Sequence, residues 1–239
     1  TTMSVNLAET NEYTSANDNY TLTINPKTLT ATASASNKVY DGLTTATTTL
    51  TFSGLVGSET LGQTVGSTFS DKNVGTGKTV TVNSITLADG SNGGVALNYS
   101  ISSGQNTTAN ITAKALTVSG ITASDKTYDA TTSATLGTGS VSYGGLVSGD
   151  TLTGTYSGVF DNANAGTGKT VTITSSYGGT DVNNYTITDQ ASTTADVTAK
   201  ALTATASTAN KTYDGTTTAT TTLTFTGLVG SETLVQTVA

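Results

Sequence analysis

Residues Lys27 to Phe52 read KTLTATASASNKVYDGLTTATTTLTF, and two runs within them alternate with a period of two. In LTATAS (Leu29 to Ser34), Leu29, Ala31 and Ala33 share one face while Thr30 and Thr32 take the other. In ATTTLTF (Ala46 to Phe52), Ala46, Leu50 and Phe52 point one way. This is the half-buried strand pattern, because successive side chains on a pleated backbone leave opposite faces. Between the runs, Tyr40-Asp41-Gly42 supplies turn chemistry. Tyr is read as packing at the core edge, Asp as capping the turn through its carboxylate, and Gly as easing φ.

The stretch recurs. KTLTATASASNKVYDG at 27–42 is answered by KALTVSGITASDKTYDA at 114–130 and KALTATASTANKTYDG at 200–215. The tyrosines Tyr40, Tyr128 and Tyr213 lie 88 and 85 residues apart, and Asp129 and Asp214 follow the latter two. Other marks return in the same order. GLVGSETL at 54–61 is matched by GLVSGDTL at 145–152 and GLVGSETL at 227–234. NVGTGKTVTV at 73–82 is matched by NAGTGKTVTI at 164–173, and NYTL, NYSI and NYTI begin at Asn19, Asn98 and Asn184. The phase follows: 1–26 is the C-terminal part of a preceding repeat, 27–113 and 114–199 are complete, and 200–239 is the N-terminal part of a following one. Residues 200–238 match 27–65 at 32 of 39 positions, which points to duplication of a two-repeat unit. The joints, INPK, ITAK and VTAK, are short and carry no Gly/Ser linker. That favours an extended rod over flexibly tethered beads.

Composition agrees with a strand-rich chain. Of 239 residues, 59 are Thr and 26 are Gly, so β-branched residues suit strands and glycines suit turns. TVTV (79–82), TVTI (170–173) and YTIT (185–188) alternate too, and no amphipathic helical window exceeds a turn. Gly75-Thr76-Gly77 and Gly166-Thr167-Gly168 read as hairpin loops. Roughly seven short strands in each repeat predict an all-β fold, tandem immunoglobulin-like β-sandwiches. The alternative is a β-grasp-like module with a short helix near GLVGSETL.

Charge narrows the function. The net charge is −7 and the nine basic residues are all Lys, too few and too scattered for a nucleic-acid surface. There is no Cys and no His, which removes thiolate metal sites and the usual nucleophile–base pairs. No apolar run is long enough to insert into a membrane. The GKT at 168–170 imitates a phosphate loop, but Val171-Thr172-Ile173 continues as strand where that loop needs a helix. Recurrent carboxylates stand at Asp41, Asp129 and Asp214, at Glu59, Asp150 and Glu232, and at Asp71 and Asp161. The first three are the calcium candidates. Calcium needs six to eight oxygens, and without a D-x-D-x-D cluster the default is solvated turn carboxylates. Lys27, Lys114 and Lys200 with Asn98 and Asn184 are conceivable partners for intramolecular cross-links. Ala130 in place of Gly42 and Gly215 implies that positive φ is not obligatory in the triplet. No catalytic, cofactor or substrate site is expected.

With Lys-x-Tyr-Asp-Gly, GLVxGxTL, NxGTGKxVTV and NYTI in place, the chain resembles the YDG-type repeats of large bacterial adhesins. These are similar to filamentous-haemagglutinin-like proteins exported by two-partner secretion. The resemblance implies an extracellular or cell-surface location and a non-catalytic structural role in adhesion or biofilm. Neighbouring repeats are the expected partners. The alternative is a filament in which the partial end repeats pair with other chains.

Overall fold

A computed structural model describes residues 2–7 and 16–235 of the chain. It divides into two units that meet between Ala113 and Lys114. Among the described residues every regular element is a β-strand, apart from 3-10 turns at Ala96–Asn98 and Val182–Asn184.

In the first unit a five-stranded sheet runs in the order Lys38–Val39, Asn106–Thr112, Gly75–Asp89, Leu61–Phe69, Thr45–Ala46. Its centre is the long hairpin of Leu61–Phe69 with Gly75–Asp89, paired antiparallel from Leu61↔Asp89 to Phe69↔Val80. Phe69, Val80, Val82, Ala109 and Ile111 are buried along its inner face, two residues apart on each strand. Burying each large side chain contributes about 2 kcal/mol. The opening stretch forms a separate antiparallel ladder, Thr30–Ala35 with Thr48–Ser53. Gln63 ties the two together: its Nε2 donates to the Leu50 carbonyl at 2.7 Å, and the Leu50 N–H donates to its Oε1 at 3.0 Å. Lys27–Thr28 pairs parallel with Tyr99–Ser100, and Lys38–Val39 parallel with Ile111–Thr112. Residues 2–7 and 16–21 make a further two-stranded antiparallel ladder.

The second unit repeats the sheet in the same order: Lys126–Thr127, Ser192–Thr198, Gly166–Gly178, Thr153–Phe160, Ser133–Ala134. Phe160, Val171, Ala195 and Val197 are buried together, with Ala123, Tyr128, Ala134 and Leu136 packed against them. Lys114–Ser119 sits between Ser142–Gly144 and Tyr185–Thr188, parallel to the latter. A ladder of Thr203–Thr208 with Thr221–Thr226 follows, pairing Thr203↔Thr226 where the first repeat pairs Thr30↔Ser53.

Three expectations change. GLVGSETL carries no helix: residues 54–60 form a turn, and Leu61 already belongs to a strand, so the β-grasp alternative loses its helix. The GTG triplets are not hairpin loops. The loop is residues 70–74, and Gly75 and Gly166 open the long strands. There the pairing slips between Ala109 and Ile111, and between Gly166 and Lys169, with Gly77 at φ 60° and Gly168 at φ 58°. A glycine of positive φ at a slip is a bulge, which bends the strand without ending it. Ala130 has φ 61°, beside 80° at Gly42 and 74° at Gly215, so the triplet keeps its left-handed residue even where the glycine is lost.

Candidate functional site

The Lys-x-Tyr-Asp-Gly loop is organised by its lysine. Lys38 Nζ donates to Asp41 Oδ1 at 2.7 Å, to the Leu43 carbonyl at 2.7 Å and to the Thr45 carbonyl at 3.1 Å. The Leu43 N–H donates to the same carboxylate oxygen, as an Asx turn requires. Lys126 repeats this with Asp129 at 2.7 Å and the Thr131 and Ser133 carbonyls, and Lys211 with Asp214 at 2.9 Å and the Thr216 and Thr218 carbonyls. The ammonium thus holds a cradle of carbonyls and one carboxylate, the donor set a metal cation would use. Phenylalanine covers two of the three: Lys38 lies 5.6 Å from the Phe69 ring centroid and Lys126 5.5 Å from that of Phe160. Lys126, with the Thr131 N–H and hydroxyl, pulls the Asp129 carboxyl from the usual 3.8 to about 2. Lys211 lowers Asp214 in the same way. At Asp41 burial is the largest single influence and pulls upward, yet Lys38 and the Leu43 N–H together bring the carboxyl below its usual range. The calcium candidates Asp41, Asp129 and Asp214 are therefore ion-paired with lysine. Among the described residues, no group of three acidic side chains gathers as a metal site.

The GTGK bulge is pegged similarly. Lys78 reaches Asp71 at 2.6 Å, and Lys169 reaches Asp161 at 2.9 Å and Asn162 Oδ1 at 2.6 Å. The Gly77 N–H donates to Asn110 Oδ1, and the Gly168 N–H to Asp196 Oδ1. Lys169 is thus bound to carboxylate and amide within a sheet, and nothing there presents the helix N-terminus a phosphate needs. Lys27 stands opposite Tyr99 and Lys114 opposite Tyr185, which sets each lysine one position from its suggested cross-link asparagine.

The carboxylates of GLVGSETL meet tyrosines that the sequence reading did not single out. Tyr99 donates its hydroxyl to Glu59 and accepts from the Val56 N–H at 3.0 Å. Tyr185 donates to Asp150 at 2.6 Å and accepts from the Val147 N–H at 2.9 Å. The signal was present: in both complete repeats GLV(G/S)(S/G)(E/D)TL is followed by NY. The third acid, Glu232, accepts instead from the Tyr128 hydroxyl, 104 residues earlier. Hydrogen bonding to these carboxylates raises the phenols of both Tyr99 and Tyr128. So the triplet tyrosine of one repeat reaches the turn acid of the segment that follows it.

The three triplet tyrosines differ in environment. Tyr40 is 1% exposed, Tyr128 is half-buried and Tyr213 is 93% exposed. Residues 200–235 reproduce the ladder and the turn of a repeat, but among the described residues no five-stranded sheet packs on them. Lys211 is correspondingly more exposed, at 39% of its side chain against 17% for Lys38.

No curated protein and no solved structure matches the chain. The YDG domain matches it twice, at residues 25–109 and 112–195. Those two matches take in more than half of the sequence, and the chain belongs to the YDG domain family.

Proposed function

We propose that this chain is a non-catalytic mechanical spacer from a bacterial cell-surface adhesin, built of immunoglobulin-like β-sandwich repeats in an extended array. The observation that carries the reading is the hydrogen bond from Tyr128 to Glu232. It uses the residue that defines the repeat to fasten one repeat to the segment after it, which a stalk needs and an enzyme does not. The joint chemistry points the same way. The joint sequences INPK, ITAK and VTAK are short and carry no Gly/Ser linker. The lysine-filled turns leave few charges free for a ligand. Small-angle scattering on the full chain tests the proposal: an elongated, stiff profile is expected, and a compact or highly flexible one overturns it.

A further inference from the structure

Within each complete repeat the first and last segments of the chain run side by side in the same direction. In the second, Lys114 to Thr117 face Tyr185 to Thr188, and Lys126 and Thr127 face Val197 and Thr198. Both stretches keep one register, and side chains hold it between them. Gln190 brackets both backbone groups of Ile121, at 2.6 and 3.0 Å. Asp125 Oδ1 accepts from the Asp196 N–H, 71 residues on, at 2.7 Å. The Tyr128 N–H ends this seam on the Thr198 carbonyl at 2.8 Å. The first repeat is built alike: Lys27 and Thr28 face Tyr99 and Ser100, and Lys38 and Val39 face Ile111 and Thr112. There Asn37 Oδ1 accepts from the Asn110 N–H, and the Tyr40 N–H donates to the Thr112 carbonyl.

A parallel seam of this kind has a mechanical consequence. The chain enters the second repeat at Lys114, where the seam starts, and leaves past Thr198, at its far end. Tension along tandem repeats therefore draws the first segment backward and the last segment forward. The two slide along the seam, across hydrogen bonds that run from strand to strand. Bonds loaded in that direction open together, whereas bonds pulled apart sideways open one at a time. The motif lysine opposes the slide. Lys126 joins the seam through its backbone, while its ammonium is held by Asp129 and by the Thr131 and Ser133 carbonyls. Ser133 pairs in turn with Val159 of the five-stranded sheet. Dragging Lys126 backward thus breaks its cradle as well as the seam. Lys38 has the same two attachments, with Thr45 pairing to Thr68.

We propose that the paired first and last segments of each repeat form a shear clamp that resists tension, and that the Lys-x-Tyr-Asp motif is its anchor. The two repeats are unequal in it. At its start the second seam has the four facing pairs from Lys114 to Thr117, and the first has only those of Lys27 and Thr28. A groove of about 390 Å³, lined by residues 29–31 and 102–105, interrupts the first seam. Gln105, beside it, has a buried Oε1 with no hydrogen-bond partner among the described residues. The first repeat therefore yields before the second. The inference stands on the seam within each repeat, so a compact scattering profile, which ends the spacer reading, leaves it intact.

The sequence has no cysteine, so thiol handles can be placed at chosen exposed sites of the full chain. Ala115→Cys with Ala199→Cys pulls the second repeat along its seam. Ala115→Cys with Thr186→Cys pulls it across, because those two residues face each other. Optical tweezers at constant force read the lifetime of the folded repeat, which the unfolding rate governs. At the same force the lengthwise pair should last at least about tenfold longer than the crosswise pair, because several bonds rather than one open in the limiting step. Lys126→Met should shorten the lengthwise lifetime about tenfold and leave the crosswise one unchanged, which a general loss of stability would not do. Thr28→Cys with Ala113→Cys, the matching lengthwise handles on the first repeat, should give a shorter lifetime than the second repeat shows. Equal lifetimes in the two directions, an equal effect of Lys126→Met on both, or a first repeat that outlasts the second would overturn the proposal.

Discussion

Ala130 holds a backbone conformation that L side chains resist, at φ 61°, between two repeats that place glycine there. A β-carbon in the left-handed region costs about 1 kcal/mol. Ala130→Gly should therefore stabilise the second unit by up to about 1 kcal/mol, less what glycine's freer unfolded chain takes back. Chemical denaturation of the two proteins measures it, and a destabilised variant would contradict the account. The neighbouring Asp129 gives a pH signature. Its carboxyl is held at about 2 against the usual 3.8, chiefly by Lys126. A depressed carboxyl contributes stability that is whole above the unfolded value and withdrawn as the pH falls through the folded one. The Asp129 side-chain carbon resonance should accordingly titrate well below those of solvent-exposed aspartates. Melting temperature should begin to drop below about pH 4 and go on dropping to about pH 2, with Lys126→Met abolishing the low titration.

At the level of elements, two glutamines stand in for strands. Gln190 donates to the Ile121 carbonyl at 2.6 Å and accepts from the Ile121 N–H at 3.0 Å, as Gln63 does for Leu50. Ile121 is 2% exposed, so removing the amide leaves a buried N–H and a buried carbonyl without partners. Gln190→Ala should cost about 3 kcal/mol by denaturant titration, well above the cost of an exposed substitution. The elements also show what could be read beforehand. Leu29-to-Ser34 and Ala46-to-Phe52 alternate because each ladder strand buries one face, and that is visible locally. The parallel pairing of Lys27 with Tyr99 was not, because it joins residues 72 apart and leaves no mark on either strand's own pattern. The GTG triplet misled for a different reason. A positive-φ glycine serves a tight loop and a bulge equally well, and only the partner strand, with Asn110 facing Gly77, decides between them. Likewise the motif displays Lys38, Lys126 and Lys211, but the carbonyls they gather belong to residues whose identity is free to vary.

At the level of the whole molecule, the Tyr128 hydroxyl links the loop of one repeat to the turn of the segment after it. Its pKa is raised by the hydrogen bond to Glu232, so the stability it lends is complete below the usual phenol value of 10.0 and is lost as the pH climbs through the raised one. Hydrogen exchange at residues 203–208 and 221–226 should therefore accelerate above about pH 10, ahead of the sheet at 153–198. Tyr128→Phe should produce the same acceleration at neutral pH. If both regions loosen together, the hydroxyl is not the link. The lysine cradles bear on the surroundings such a molecule can tolerate. A fold can depend on an ion borrowed from the medium, and chelation or dilution can take that ion away. Here the positive charge is part of the polypeptide, made with every copy and impossible to wash out. Adding a chelator, or replacing sodium by potassium, should leave the melting temperature where it was. A chain that carries its own counter-ions has no need to draw them from the solution around it.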